Sequence, residues 1–380
     1  MSDHLKPDNA DQLLEAMQWA VSEQCALEVL SSGTKREIGN PARVETRLDM
    51  SAFSGITLYE PEELVLSARA ATPRAEVEAA LTAKNQEFAF EPPDFSRLLG
   101  ANHEGTLVGM VASNFAGPRR IKAGAVRDHF LGFSAVSGRG EAFKSGGRVV
   151  KNVTGYDLCK VMAGSWGTLG VMSDITLKVL PAAETQSTLM LTGLSNGTAM
   201  KAMSAAMQSS CEVSGAAHIP EDLVARSKVS ALAGAGQAVT LLRLEGIAAS
   251  VNYRFEKLAS LLAPFAEAVM LEDQHSTLAW SELRDVHYLA EDDACVWRIS
   301  VAPMAGAGVA YAILQKAEAQ LYFDWAGGLI WCAVKGSDKA HADAVRQAVD
   351  AAGGHATLIK APEAVRAAAG VFHPLKPGID

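Results

Sequence analysis

Apolar positions at helical spacing open the chain. Leu13, Leu14, Met17 and Val21 share one helical face, with Asp8 or Asn9 ahead of them as an N-cap. Residues 27–30 then read as a short strand that passes into the small polar run Ser31-Ser32-Gly33-Thr34-Lys35. Residues 64–67 predict another strand, and Thr72 is the expected cap of a helix across 74–84. Between 100 and 181 the pattern changes: glycine is dense and no long helical period survives, which predicts strands joined by tight turns. Pro181 closes that stretch. From about residue 185 strands and helices alternate, with strands at 188–194, 239–245, 296–301, 328–334 and 355–360. Helices fall near 199–207, 248–262, 307–319 and 340–352. The pattern therefore predicts two units, 1–181 and 182–380, the second an α/β or α+β domain with its own core.

Length agrees, since 380 residues exceed one ordinary domain. At 49% hydrophobic and 20% charged residues the chain has enough apolar surface for sizeable cores and is not disordered by composition. The longest apolar run, near 261–271, is broken by Pro264 and Glu267, so no integral membrane segment is expected. No basic stretch followed by an apolar one stands at the N-terminus, so no signal peptide is expected and the location reads as cytoplasmic. A net charge of −9 argues against nucleic acid as a bulk partner.

That charge is uneven. Nine cations between 118 and 160, opposed by Asp128, Glu141 and Asp157, make this stretch +6 and the remainder −15. It is either a solvated loop or a field for an anionic cofactor and substrate, with Arg119, Arg120 and Lys151 best placed for the second role. The five cysteines, Cys25, Cys159, Cys211, Cys295 and Cys332, are too scattered for a local metal, redox or cluster motif. They read as ordinary thiols of a reduced compartment.

The common nucleotide codes fail. Gly138 and Gly140 lack the third glycine of G-x-G-x-x-G, as do Gly306 and Gly308, and no G-x-x-x-x-G-K-[ST] occurs. A different set of glycines remains. Ser32-Gly33-Thr34-Lys35 follows a strand and is either an ordinary turn or a backbone cradle for a diphosphate. Gly105 to Asn114 again mixes glycine with hydroxyl and amide groups, and Gly164-Ser165-Trp166-Gly167-Thr168-Leu169-Gly170 spaces three glycines three apart.

The run Lys151-Asn-Val-Thr-Gly-Tyr-Asp-Leu-Cys-Lys-Val-Met-Ala-Gly-Ser-Trp-Gly-Thr-Leu-Gly-Val171, with Ala116-Gly-Pro-Arg-Arg120 before it, closely resembles the FAD-binding subunits of bacterial glycolate oxidases. These are flavoproteins of the vanillyl-alcohol-oxidase type. Weaker echoes follow at Trp297-Arg298-Ile-Ser300, Phe323-Asp324-Trp325-Ala-Gly-Gly328 and Ala352-Gly-Gly-His355-Ala-Thr357. The resemblance implies an α+β fold: a PCMH-type FAD-binding domain of two α+β lobes, then a C-terminal α+β cap domain. It implies Ser32, Gly33, Thr34 and Lys35 at the pyrophosphate, and Gly109, Ser113 and Asn114 along the flavin. Gly164, Ser165, Gly167, Thr168 and Gly170 would approach it through backbone and hydroxyl groups. Two departures are a Val108-Gly109 pair where relatives often have two glycines, and a chain that stops where relatives continue into a further tail.

The first loop has no histidine or cysteine and the second only His103, so FAD is expected to be held non-covalently. Oxidation of a 2-hydroxy acid needs a cation for the carboxylate, a base for the hydroxyl proton and a hydride acceptor. Arg298 is placed for a carboxylate clamp, its alternative being an ion pair with an acid such as Asp293. His355 is either a base facing a cleft or a hydrogen-bonded core histidine, while Tyr156 and Asp157 read as packing and hydrogen-bonding groups. The resemblance implies partners too: a second FAD-binding subunit and an iron–sulfur subunit, with peripheral attachment to the inner membrane through them. Alternatives are a non-catalytic electron-relay or assembly subunit, or a flavoenzyme for D-lactate or an aromatic alcohol.

Overall fold

A computed structural model describes residues 4–42, 44–148, 155–290 and 293–375. Asn9 caps the first helix, Ala10–Ser22, by accepting from the Gln12 N–H, and Leu13 and Met17 fall on its buried side. That helix covers a small parallel sheet in the order His4–Leu5, Thr46–Asp49, Leu27–Leu30. A second lobe is an antiparallel sheet ordered Ile56–Glu60, Val65–Arg69, Gly170–Lys178, Phe130–Ser137, Ala142–Gly146. Leu13 and Met17 pack with Val136 and Val171, so the helix ties one lobe to the other.

Two local expectations are corrected. Thr72 does not cap the helix Arg74–Thr82, because Pro73 occupies the cap position and the Thr72 hydroxyl donates to the Arg69 carbonyl. Residues 105–114 hold a helix, Leu107–Ser113, with Thr106 as its cap, so glycine density there marks close backbone approach and not only turns.

Beyond Pro181 the chain builds one eight-stranded sheet, paired antiparallel throughout. Its order is Ala268–Glu272, Thr185–Thr192, Val239–Gly246, Gly215–Ile219, Ala319–Asp324, Leu329–Val334, Cys295–Ser300, His355–Lys360. The strand at 319–324 occupies part of what the helical period assigned to a longer helix, which ends at Leu314.

Strand periodicity then decides what each face carries. Trp297, Ile299, Ile330, Ala356 and Leu358 enter a core closed by the helices Asn196–Met207, Ala248–Leu262, Gly306–Leu314 and Ala342–Ala351. Val296, Leu329, Trp331 and Ile359 enter the opposite core, where Ile38, Phe95 and Leu98 of the first domain also pack. Arg243, Glu245, Asp324, Arg298 and His355 alternate with the first set and so share this second face, turned toward the first domain.

A buried ion network joins the domains there. Arg243, only 1% exposed, donates both terminal nitrogens to Glu91 at 2.7 Å each. Arg119 donates to Glu245 at 2.9 Å and pairs with Glu87 at 2.7 Å. Arg119 is thus part of the domain joint and not of an anion field, because three carboxylates surround it. A cleft of about 310 Å³ opens on this network between Glu78, Glu91, Arg119, Arg243, Trp280 and Arg284.

Candidate functional site

The turn after Leu27–Leu30 is wound by Gly33, whose φ of +71° favours glycine and whose missing side chain leaves open space. Ser31 and Thr106 hydroxyls lie 2.8 Å apart, pinning this turn to the next loop. Gly105 makes that contact possible. A Cβ there would stand 2.6 Å from Thr34 Oγ1, 3.4 Å from Lys35 Nζ and 3.8 Å from Ser32 Oγ. Gly109, in the first turn of the following helix, lies on the same side, its Cβ position 4.0 Å from Lys35 Nζ. Ser32, Gly33, Thr34, Lys35 and Gly109 are therefore one cluster.

Lys35 is half-buried and has no carboxylate partner among the described residues. Burial first, then Arg74, push its ammonium down to about 8, against Asp94. An unpaired cation beside a glycine turn suits a pyrophosphate. The C-terminal helix Glu363–Ala369 braces the same loop, for Arg366 donates to the Gly39 carbonyl at 2.9 Å and pairs with Glu37 at 2.8 Å. Gly105→Ala is expected to force the two loops apart, since the new methyl meets Thr34 and a φ of +98° strains any side chain. Measured as the ratio of flavin to protein absorbance after purification, cofactor retention should fall at least severalfold; an unchanged ratio would refute the role.

A second cluster docks on the far end of the helix Leu107–Ser113. Asn114 ends that helix in the left-handed region, φ +52°, and its Oδ1 accepts from the Arg127 N–H. The Gly164 and Trp166 N–H groups donate to Val111 and Ala112 carbonyls at 3.2 and 3.0 Å. Gly164 sits against Asn114, where a Cβ would be 3.5 Å from the Asn114 Cβ. Ser165 Oγ is buried with no partner, and Gly167, φ +76°, faces open space. Three other residues are engaged within the protein. The Ser113 hydroxyl donates to the Gly109 carbonyl at 2.7 Å, and that of Thr168 to the Ser165 carbonyl at 2.7 Å. Gly170 begins a strand whose neighbour leaves no room for a side chain, a Cβ there meeting the Val136 carbonyl at 2.9 Å. His103 accepts from the Gly105 N–H at 3.2 Å.

Across from these loops lies the sheet face. Trp166 stacks edge-on against Phe115, Phe115 against Phe95, and Phe95 against Trp331, so an aromatic chain runs from loop to sheet. The Arg298 guanidinium stands 5.7 Å from the Phe115 ring and 5.0 Å from that of Trp325. It has no ion pair with Asp293 or any other acid among the described residues. Burial and the neighbouring Arg120, against Asp324, lower it to about 10, still charged near neutrality.

His355 faces Ser300 across the strand pair, and Arg298 faces Thr357, so the two side chains are diagonal neighbours on one face. His355 is exposed and not a core histidine. Partial desolvation, then Arg298, His373 and Arg120, hold its imidazole below the ordinary value and hence neutral at pH 7.

Residue patterns gave Asp324 and the turn that follows it no role beyond an echo of the resemblance. Trp325 and Ala326 adopt left-handed φ values of +52° and +57°, and Gly327 could carry no side chain, its Cβ position colliding with Met200. This tight turn sets Trp325 into the domain joint, where its indole N–H donates to the Gly117 carbonyl at 3.0 Å. Asp324 is buried behind it, accepting from the Trp325 N–H, and burial raises its carboxyl to about 7. Tyr156, expected to pack, is 90% exposed. Lys151, Asn152 and Thr154 lie outside the described residues.

Residues 4–146 match the family model of the FAD binding domain. Over 174 residues the chain is 42% identical to the glycolate oxidase subunit GlcE of Escherichia coli (strain K12), covering 46% of this chain and 48% of that protein. It is 37% identical over 101 residues to the glycolate oxidase subunit GlcD of Bacillus subtilis (strain 168), 27% of this chain and 21% of that one. A D-lactate dehydrogenase of Anaerostipes hadrus is 41% identical over 86 residues, 23% of this chain and 18% of that one. The matched regions thus span about half or less of these relatives.

Among solved structures, an alkyldihydroxyacetonephosphate synthase superposes with a TM-score of 0.69 over 92% of this chain and 72% of its own, at 15% identity. The p-cresol methylhydroxylase gives 0.66 over 91% and 78%, at 11% identity. The α+β architecture is that of these two proteins. FAD is the cofactor this chain is built to hold, and the glycine turn, unpaired Lys35 and orphaned Ser165 hydroxyl fit it. No helix among the described residues is long and apolar enough to cross a membrane.

Proposed function

We propose that this chain is the FAD-holding subunit of an oxidoreductase that dehydrogenates a small 2-hydroxy acid, glycolate or D-lactate. The observation that carries the reading is Arg298, an unpaired guanidinium diagonal to a neutral His355 on the sheet face that confronts the flavin cradle.

Ser32, Gly33, Thr34, Lys35 and Gly109 would hold the pyrophosphate end of a non-covalent FAD, and Asn114, Gly164, Ser165 and Gly167 would line its path. FAD, when bound, supplies the hydride acceptor. Arg298 binds the substrate carboxylate through a planar fork that matches two oxygens. His355, uncharged, takes the hydroxyl proton on an imidazole nitrogen. Phe115, Trp166 and Trp325 exclude water from the carboxylate contact, which strengthens it. Electrons leave through partners, a second FAD-binding subunit and an iron–sulfur subunit, since the five cysteines here are free and scattered. The relatives named as glycolate oxidase subunits support the complex, and a cytoplasmic setting peripheral to the inner membrane goes with it.

The test is a visible spectrum of the purified chain before and after anaerobic glycolate or D-lactate. A flavin band that bleaches is expected; a band that stays intact with both acids overturns the catalytic reading. The exposure of His355 favours one rival, in which this subunit holds FAD and its partner performs the chemistry. Undiminished activity of a complex carrying Arg298→Ala with His355→Ala would select that rival.

A further inference from the structure

Asp324 is a buried acid with no ion pair among the described residues. It ends the strand Ala319–Asp324 on the sheet face that also carries Arg298, and it is 1% exposed. Its Oδ1 accepts from the Trp325 N–H at 2.6 Å, and no arginine, lysine or histidine of the described residues lies within ion-pair distance. One backbone hydrogen bond does not offset the desolvation of a carboxylate, so charges farther away set its proton balance.

Three such charges reach it. Arg243 and Arg298 favour the carboxylate, and Glu91 opposes it. Arg243 is bonded to Glu91 through both terminal nitrogens, so these two work against each other. Arg298 is the cation left to act on Asp324, and Asp324 is the acid that acts on Arg298. The other titratable groups nearby are engaged elsewhere. Tyr322 donates its hydroxyl to the Leu283 carbonyl, and His218 on the adjoining strand is bonded to Thr240 and Asn196. Arg120, 4.9 Å from the Trp325 ring, is acted on by Arg127 and Asp128.

Trp325 links the acid to the cation, since its N–H holds the Asp324 carboxyl while its ring lies 5.0 Å from the Arg298 guanidinium. A carboxylate bound to Arg298 withdraws the positive charge that favours ionised Asp324. A second anion within about 10 Å raises the proton affinity of a buried carboxyl by roughly tenfold.

We propose that Asp324 is a positioning residue of the acid site: its carboxylate compensates Arg298 in the free protein, and it takes up a proton from solvent when a 2-hydroxy acid binds Arg298. The inference rests on the 2-hydroxy acid reading and adds a residue to that site. Burial already raises Asp324 to about 7, so the exchange falls in the neutral range. The acid binds most tightly below that value, where Asp324 is already protonated, and more weakly as pH rises through it. The effect is on binding, and turnover at saturating substrate does not share it.

Calorimetric titration of the FAD-loaded chain with acetate and propionate, which lack the reacting hydroxyl, tests it in two buffers of different ionisation heat. Kd is expected to be about threefold to tenfold weaker at pH 8 than at pH 6, with a fraction of a proton taken up between them. Asp324→Asn keeps the size and an acceptor for the Trp325 N–H; it should bind equally well at both pH values and take up no proton. The dependence should persist in His355→Asn, which removes the other titrating group on this face, and its loss there would overturn the proposal. These readouts on the parent and on His355→Asn decide the question even where Asp324→Asn fails to fold. A parent Kd indifferent to pH, or a response that survives Asp324→Asn, also overturns it. If glycolate or D-lactate then still bleaches the flavin, the 2-hydroxy acid reading stands. If no acid binds and none bleaches the flavin, both fall.

Discussion

Arg298→Gln is expected to lower kcat/KM for the 2-hydroxy acid by about 10²-fold or more, a cost of roughly 3 kcal/mol for a desolvated charge pair that loses one partner. The argument is positional. Arg298 has its guanidinium 5.7 Å from the Phe115 ring and 5.0 Å from that of Trp325, and no carboxylate lies within ion-pair distance among the described residues, so a bound carboxylate is its natural partner. Glutamine fills much of the same space but brings no charge and cannot make the fork. Stopped-flow reduction of the flavin separates the effect from cofactor loss, because the amount of flavin is read in the same trace. A rate within threefold of the parent would remove Arg298 from the site and leave the chemistry to a partner subunit. His355 is expected to behave differently, as its effect should follow pH. Its imidazole is held below the usual range, so activity should rise as pH climbs through that lowered value and level off where the ring is neutral.

The second large effect concerns the domain joint. Glu91→Ala leaves Arg243, almost fully buried, without its bidentate partner and removes an acceptor from the Arg119 N–H. Breaking a buried ion pair from one side costs about 3–5 kcal/mol, because the remaining charge stays desolvated and uncompensated. A fall in Tm on the order of 10 °C follows for domains of this size. Exchanging Glu91 and Arg243 together for apolar residues should cost less than Glu91→Ala alone, and the opposite order would show that the pair is not what holds the joint.

Acid titration gives an independent readout. Although burial opposes it, Arg243 and Arg119 hold the Glu91 carboxyl down to about 2. Its folded value lies below the unfolded one, so its stabilisation is present above the ordinary carboxylate range, about 4.3. It is lost as pH falls from there through about 2. A Glu91→Gln protein should therefore show a weaker decline in stability over that window than the parent. An identical decline would mean that other carboxylates carry the acid sensitivity.

Both predictions turn on residues whose importance was unequally legible. The glycine loops were readable as turns because their requirements are local. Gly33 must reach a positive φ, Gly105 must admit Thr34 and Lys35, and Asn114 must end a helix left-handed. Each need selects a residue type within a few positions of the turn it makes. Element types were readable in the same way, and the errors fell where two local signals compete. Pro73 displaced Thr72 as cap, and a strand at 319–324 took over the end of a helical period.

The cationic site was only half legible. Arg298 and His355 were visible as residues of suitable chemistry, but nothing near them in the chain says that they share a face. That follows from the pairing of Ser300 with His355 and Arg298 with Thr357, residues more than 50 positions apart in sequence. Arg119 and Arg120 illustrate the limit. As neighbours in a basic run they were indistinguishable, yet one closes the domain joint on three carboxylates and the other lies unpaired on Trp325.

By itself, then, the sequence determined an acidic chain of α+β pattern, glycine turns that resemble those of FAD-binding proteins, and a basic stretch between residues 118 and 160. Tertiary structure alone decided which basic groups are neutralised and which remain free. The reason is physical: turn and helix preferences come from steric and hydrogen-bond needs within a few residues. The charge state of a site depends on groups brought together by strand register and domain packing, and these are set by long-range burial of apolar faces.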